Sequence, residues 1–593
     1  MNGDAGGALS RYRVLDLTTD TGQLAGRIFA DLGADVVKIE PRQGDPSRAS
    51  GPFYGDDPSD PDKSLFWAAY NAGKRSIALD IQREADKETL KGLIPSADFL
   101  LESHPPGYLA SLGLGYADLE KLNPGLIMAS ITPFGQTGPR ALWKGPDLVC
   151  WAMGGYMWMT GEPEKAPLRI SHPPQAYLHA SAIAVTGCLM AHFCRVKTGL
   201  GQHVDVAAQQ CPSWMLTNTY AFWDLKRINL GRGGIFRQFG ANNIRTVWKA
   251  LDGYITFMFS GGAIGAKGQR RVVELMDRAG SAPEWIKNVD WEGMSAFSVH
   301  EDQLSDITRE FGAFFETQKK ENLLAEAVKS GIMLAPVNTI ADVMNDPQLI
   351  ARDFWREIHI APDRTLKFPG PPVKMSRTPW KTGKGAPRMD EHREKILSDW
   401  TTKCGEECRV RFNAHVRGKN ALPLDGIKVL DFTSTVLGPS TTRYLADHGA
   451  VVVRVESLAH PETLRIATPF AGDSPHIDRS GYFAVHNAGK LSLSLNMKKE
   501  KARFVVEKLI NWADIMIESF APGVMKRWGL DYEAVKRINP DIIMASTCLQ
   551  GQTGPHAAHR GYGQMATAIA GWFELTGWPE GPPLDEGPPV SVP

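Results

Sequence analysis

The strongest constraint on the fold is that the chain repeats itself. Asn123 to Pro139 reads NPGLIMASITPFGQTGP, and 416 positions later Asn539 to Pro555 reads NPDIIMASTCLQGQTGP. The same offset relates ADLGADVVKIE, ending at Glu40, to ADHGAVVVRVE, ending at Glu456. It also relates NAGKRSIALD (Asn71 to Asp80) to NAGKLSLSLN (Asn487 to Asn496), and ADFLLES from Ala97 to ADIMIES from Ala513. Solenoid units recur every 20–50 residues or so, so this spacing means duplication of a whole domain. The first copy runs from about Tyr12 to about Trp400. The second begins near Leu422 and reaches Pro593, opposite Tyr177 of the first. Nothing corresponds to the rest of copy one, and we expect the second copy to be incomplete and the chain to be a fragment of a longer protein.

At 593 residues the chain is too long for one hydrophobic core. Its 66 basic residues balance 66 acidic ones. That leaves no extended footprint for nucleic acid or a membrane surface, so an anionic ligand must be held by a few placed cations and backbone N–H groups. The most apolar stretch, Ala180 to Cys194, is interrupted by Ser181, Thr186, Gly187 and His192, and reads as a buried helix, not a membrane span. The N-terminus has no signal-peptide core. The seven cysteines (Cys150, Cys188, Cys194, Cys211, Cys404, Cys408 and Cys548) are odd in number, which fits reduced thiols in a cytoplasmic protein. Cys404 and Cys408 lack a second pair, so no metal site is expected.

Within each copy, apolar β-rich runs alternate with helical patterns. YRVLDL (Tyr12 to Leu17), DVVKIE (Asp35 to Glu40), SIALDI (Ser76 to Ile81), DFLLES (Asp98 to Ser103) and LIMASI (Leu126 to Ile131) read as strands. Gln23 to Gly33 and Glu84 to Leu93 read as helices between them. The pattern predicts an α/β fold, a Rossmann-like parallel sheet covered on both faces. We assign a large domain to 10–215 and 338–400, a small α+β domain to 217–337, a linker to 401–421, and a partial second large domain to 422–593. Ligands in such sheets bind beyond the carboxyl ends of the strands.

Each motif has a bland reading beside its functional one. Glu40 and Glu456 stand where a dinucleotide fold keeps its acid, but the turns LTTDTGQLAGR and FTSTVLGPSTT lack the required glycines, so NAD binding is disfavoured. The Gly-rich run Gly231 to Gly240 reads as a mobile lid over a reacting centre or as an ordinary surface loop. His172 and His179, ahead of a helix start near Ser181, are structural before they are bases. Asp147 is an N-cap candidate first and a catalytic one second, with Gly563 at its place in copy two.

Taken together, VLDLT, ADLGADVVKIE, GDPSR (Gly44 to Arg48), NAGKRSIALD, ADFLLES, the GQTGP segment and RVKTGLGQHVDV (Arg195 to Val206) make the chain resemble the class III CoA-transferase family. That is the group of formyl-CoA and carnitine-CoA transferases and α-methylacyl-CoA racemase. The resemblance implies interlocked subunits, here a homodimer or an intramolecular pseudo-dimer, acting on an acyl-CoA and a small carboxylic acid with no permanently bound cofactor. It implies transfer of CoA through an aspartyl anhydride and an aspartyl-CoA thioester. The family aspartate falls on Ala176, or on Gln175 with a one-residue shift, while in copy two its place is at or beyond Pro593 and Asp585 and Glu586 come too early. The nucleophile is therefore unassigned. The CoA contacts carry over onto Leu495, Lys498, Phe520 and Arg527 in copy two and, in copy one, onto Leu79 alone, where Gln82, His104 and Ser111 replace the other three. Gly438 and Pro439 likewise become Gly22 and Gln23. Copy two is expected to bind and copy one to be structural. The alternatives are a non-catalytic CoA-binding or scaffold protein, and racemase-like α-proton chemistry.

Overall fold

The computed structural model describes residues 7–170, 174–239, 242–361, 364–380, 384–401, 422–472 and 474–585. His172, Cys404, Cys408, Glu586, most of the linker, and Gly240 and Ala241 of the Gly-rich segment lie outside them.

Six strands form the first sheet: β1 (Arg13–Leu17), β2 (Asp35–Glu40), β3 (Arg75–Ala78), β4 (Phe99–Glu102), β5 (Ile127–Thr132) and β6 (His203–Ala207). They pair in the order β3-β2-β1-β4-β5-β6, every neighbour parallel. This is the strand order of a doubly wound nucleotide-binding sheet. The chain continues through a hairpin, β7 (Phe236–Phe239) and β8 (Asn242–Arg245), into β9 (Val247–Ala250), β10 (Gly253–Phe257) and β11 (Leu334–Val337), which make a small antiparallel sheet. A second hairpin, β12 (Trp355–Ala361) and β13 (Arg364–Pro369), leads to the second parallel sheet. That sheet holds β14 (Lys428–Phe432), β15 (Val451–Glu456), β16 (Leu491–Ser494), β17 (Ile515–Glu518) and β18 (Ile543–Ser546), in the order β16-β15-β14-β17-β18. The two sheets thus share one topology up to their fifth strand, as the offset predicts.

Burial follows the sequence pattern. Leu15, Val37, Ile77, Leu100 and Met128 of the first sheet pack with Trp400 of the Arg393–Thr401 helix. Leu430, Val455, Val506, Ile510 and Met516 do the same work in the second. The long Gln175–Thr198 helix packs on β5 and β6. It is long and apolar enough to cross a membrane by composition alone, yet many of its residues are buried against this sheet. It begins at Gln175, six residues before the expected start near Ser181, because the polypeptide turns helical directly after Pro174.

The chain forms two compact units: 1–154 with 173–213 and 353–424, and 155–172 with 214–352 and 425–593. The repeat draws a boundary by sequence copy, whereas compactness groups the small antiparallel domain with the second copy. Within that unit the Asn338 N–H donates to the Ala568 carbonyl (3.0 Å) and the Gln564 amide to Thr256 Oγ1 (2.7 Å). Val247, Val337, Ala568 and Phe573 close a shared apolar patch. The small domain's own core is aromatic, with Trp248, Phe257, Trp291, Phe311 and Phe315 in mutual contact.

One buried ion pair recurs in both copies. Lys74 Nζ lies 2.7 Å from Asp16 Oδ2, both side chains being wholly buried, and Lys490 Nζ lies 3.1 Å from Asp431 Oδ2. Burial pushes the Asp16 carboxyl up, but Lys74 and Lys38 outweigh it and hold the group below the usual carboxylate range. The pair ties the end of β1 to the turn before β3. Breaking such a pair from one side strands a buried charge and costs about 3–5 kcal/mol. Lys74→Met will therefore lower the unfolding free energy by about that amount in a urea titration; a loss below ~1 kcal/mol, the worth of an exposed pair, would show that the pair does not hold this turn.

Candidate active site at the carboxyl edge of the sheets

The loops that leave the carboxyl ends of the strands carry every residue singled out for ligand binding. In the second copy Leu495 follows β16; its N–H donates to the Glu456 carbonyl (2.8 Å) and its side chain is half-buried on the second core. Asn496 Oδ1 accepts the Lys498 N–H (3.1 Å), which fixes the turn and leaves the Lys498 side chain exposed. After β17, Glu518 Oε2 accepts the Phe520 N–H (2.7 Å), and the Phe520 ring meets Trp528 edge-on at 5.1 Å. Gly523, at φ +82°, opens the short Val524–Trp528 helix that presents Arg527 to solvent. Neither Lys498 nor Arg527 forms an ion pair among the described residues. β16 and β17, the strands that these two cations follow, stand three strand spacings apart, about 14 Å.

The first copy differs at each of these places. Leu79 is 2% exposed, its side chain in the first core and its N–H on the Glu40 carbonyl (2.7 Å). Gln82 Nε2 donates to the Tyr108 hydroxyl (3.1 Å), the His104 ring lies against Tyr108 at 5.0 Å, and Ser111 Oγ donates to the Tyr108 carbonyl (2.7 Å). Burial, helped by Lys38, pushes the His104 imidazole down to about 4, so it is neutral. Gln23 is locked between Asp45 (3.1 Å), Ser47 (2.8 Å) and Asn71 (2.9 Å). Neutral groups bonded to one another occupy the ground that exposed cations hold in the second copy.

Glu40 and Glu456 do not face a ribose. Each is held by an arginine at 2.7 Å, Arg48 and Arg465. Beside them run pairs that sequence reasoning missed: Lys38 with Asp45 at 3.1 Å, and Arg454 with Glu462 at 3.6 Å. A one-residue shift hides the acids' correspondence: at the 416-residue offset Asp45 falls on Pro461, and Glu462 stands one place further on. Glu462 also accepts the N–H of Thr435 (2.7 Å), a non-glycine residue at φ +70° in the first turn.

Ala176 is fully buried in the first turn of the Gln175–Thr198 helix. Asp147 is not the N-cap of its own helix, a place taken by Pro146, and Gly563 likewise follows the cap Tyr562. The Asp147 carboxylate instead reaches the other helix, accepting the N–H of Ala176 at 2.7 Å and of Tyr177 at 3.4 Å. A carboxylate at a helix start is stabilised by the free N–H groups and the dipole there. His179 Nδ1 bonds the Gln175 carbonyl (2.8 Å) within the same helix, a structural role.

A cavity of about 270 Å³ opens beyond β17 and β18, lined by Glu518, Tyr532, Met544, Ser546 and Gln552 among others. Burial raises the Glu518 carboxyl above its ordinary range. Its first-copy counterpart, Glu102, is pushed by burial up to about 7. For an acid whose folded value exceeds the unfolded one, stability is present below the unfolded value and is lost as pH rises towards the folded one. Glu102→Gln will thus be more stable than the parent by up to about 3 kcal/mol above pH 7, an advantage that vanishes towards about pH 4.5. Urea midpoints at both ends of that range check it; a pH-independent difference would contradict it.

The sequence matches the model of the family described as CoA-transferase family III over residues 9–393 and 424–591. It is 35% identical to the succinyl-CoA:(R)-benzylsuccinate CoA-transferase subunit BbsE of Thauera aromatica, over 67% of this chain and 94% of that one. It is 31% identical to a succinate–glutarate CoA-transferase of Agrobacterium fabrum, over 66% and 96%. A probable CoA-transferase of Mycobacterium tuberculosis matches at 27% over 92% of this chain, which spans 65% of that protein's length. Among solved structures, a CAIB/BAIF family protein from Brucella suis superposes with a TM-score of 0.57 at 28% identity, covering 68% of this chain and all of that one.

Proposed function

This chain belongs to CoA-transferase family III, and from that membership we propose that it moves coenzyme A between an acyl-CoA and a carboxylic acid, the carrier being gripped by the second copy. The observation that carries this reading is the asymmetry of the two copies. Lys498 and Arg527 stand exposed and without ion pairs among the described residues, at positions whose first-copy counterparts are Gln82 and Ser111. Each cation suits a phosphate of the nucleotide arm. Leu495 and Phe520, half-buried on one core, offer apolar flanks to the adenine or the pantetheine. Leu79, with its side chain in the core, gives the first copy no such flank.

In the transfer, a protein carboxylate attacks the thioester carbonyl carbon, the C–S bond breaks, and CoA thiolate leaves a mixed anhydride. The thiolate then attacks the protein-side carbonyl, releasing the donor as its carboxylate and leaving a protein-CoA thioester. The acceptor carboxylate reverses both steps and regenerates the protein carboxylate. Ala176 cannot serve as that group. The Asp147 carboxylate closes the helix start beside it, so the first copy is read as a structural partner. A pseudo-dimer within one chain is supported by the docking of the small domain on the second copy.

A second reading, a CoA-binding protein without transfer activity, is favoured by Ala176 itself. One set of assays separates the two. Succinyl-CoA is the first donor to try and glutarate and benzylsuccinate the first acceptors, following the relatives' names. Transfer of CoA, with a borohydride-reducible protein-CoA thioester, supports the enzyme; CoA binding without either supports the second reading. Lys498→Ala and Arg527→Ala will each weaken CoA binding by roughly ten- to a hundred-fold, the worth of about 1.5–3 kcal/mol for a charge-assisted contact. Calorimetry that finds both variants unchanged would move the carrier site elsewhere.

A further inference from the structure

The two copies carry different charge on the same two elements. After β3, residues 82–88 read QREADKE, with two cations and three acids; at the 416-residue offset, after β16, residues 498–504 read KKEKARF, with four cations and one acid. After β4, residues 108–112 read YLASL, and after β17, residues 524–528 read VMKRW, a change from no cation to two. In the first copy these charges are matched on the surface itself: Arg42 holds Asp86 at 2.9 Å, Lys87 holds Glu84 at 2.7 Å and Lys91 holds Glu88 at 2.8 Å. In the second, Lys498, Lys499, Lys501, Lys526 and Arg527 are exposed and enter no ion pair among the described residues, while Arg503 is paired with Glu507 at 3.7 Å.

Folding alone does not favour this arrangement. A helix start carries partial positive charge, so acids stabilise it and cations oppose it. The Glu84–Leu93 helix follows that rule, with Glu84 and Asp86 in its first turn. The Glu500–Trp512 helix does not: Lys499 is its cap residue, and Lys501 stands beside Glu500 in the first turn. Two of the cations, Lys498 and Arg527, have a use in gripping the carrier. Lys499, Lys501, Arg503 and Lys526 have none in that grip, yet they surround it with charge of one sign.

We infer that Lys499, Lys501, Arg503 and Lys526 form an electrostatic funnel that draws in the polyanionic carrier and delivers it to Lys498 and Arg527, setting the rate of association and not the lifetime of the complex. The inference rests on the reading that the second copy grips CoA. Like charges around a binding edge raise the local concentration of an opposite ligand and speed encounter by about ten- to a thousand-fold. Charges at the rim act on association and its salt dependence, whereas a desolvated contact acts on dissociation. The field reaches roughly 8 Å at physiological ionic strength and about 3 Å at 1 M, so the effect belongs to low salt. It also selects by charge: CoA, with its 3′-phosphate, arrives faster than dephospho-CoA without a contact that reads that phosphate.

Lys501→Ala combined with Lys526→Ala tests this in the full chain. Ala85 and Ala110 stand at those places in the first copy, and alanine suits both helices, so the variant is expected to fold. Stopped-flow fluorescence follows the binding of etheno-labelled CoA and etheno-labelled dephospho-CoA at about 20 mM and about 500 mM salt. At low salt the double variant should associate about three- to ten-fold more slowly than the parent, with dissociation within about two-fold, and the gap should close at high salt. The parent's faster association with CoA than with dephospho-CoA should shrink in the variant. Equal association rates at low salt would overturn the funnel. So would a slowing that persists at high salt with faster dissociation, the mark of direct contact. Either result leaves the carrier reading standing, whereas a parent chain that binds no CoA removes both.

Discussion

A parallel sheet is apolar on both faces, so it stands only where helices cover it and neighbours complete its ladders. Both sheets of this chain obey that requirement through the crossovers between their first five strands. They part company afterwards. In the first, the Gln175–Thr198 helix and β6 bury β5 completely. In the second, cover comes partly from elsewhere in the chain: the small domain, reached through the first copy, shares an apolar patch with the Gly563–Ile569 helix. The grouping of residues into compact units follows from that.

The duplication frees one copy from the constraints that bind the other. At the carboxyl edge, the first copy has neutral groups at these positions, and Gln82, His104 and Ser111 all gather on Tyr108. The second leaves Lys498 and Arg527 exposed. The shared scaffold beneath is unchanged, because Asp16 with Lys74 and Asp431 with Lys490 anchor the same turn. Where the copies do differ inside, charge is kept and length exchanged, Lys38 with Asp45 for Arg454 with Glu462.

The sheets were legible in the sequence because each strand is written twice, as an apolar, β-branched run at a constant offset. Short-range signals carried that far and no further. The helix start at Gln175 was placed six residues late because Pro174 and Ala176 offer no side-chain cap; the cap arrives from Asp147, far away in sequence. That contact also explains why Asp147 looked like a local N-cap and is not one. The burial of Leu79 against the half-exposure of Leu495 could not be read from two identical residues. The attachment of the small domain to the second copy depends on tertiary contacts such as Gln564 to Thr256, which no periodicity encodes.

Division of labour between two unequal halves is the centre of this account, and the number of CoA molecules bound per chain tests it most directly. Isothermal titration of the full chain with CoA should saturate at one equivalent. Two equivalent sites would show that the first copy still grips the carrier, and no binding at all would remove the basis for assigning it to the second.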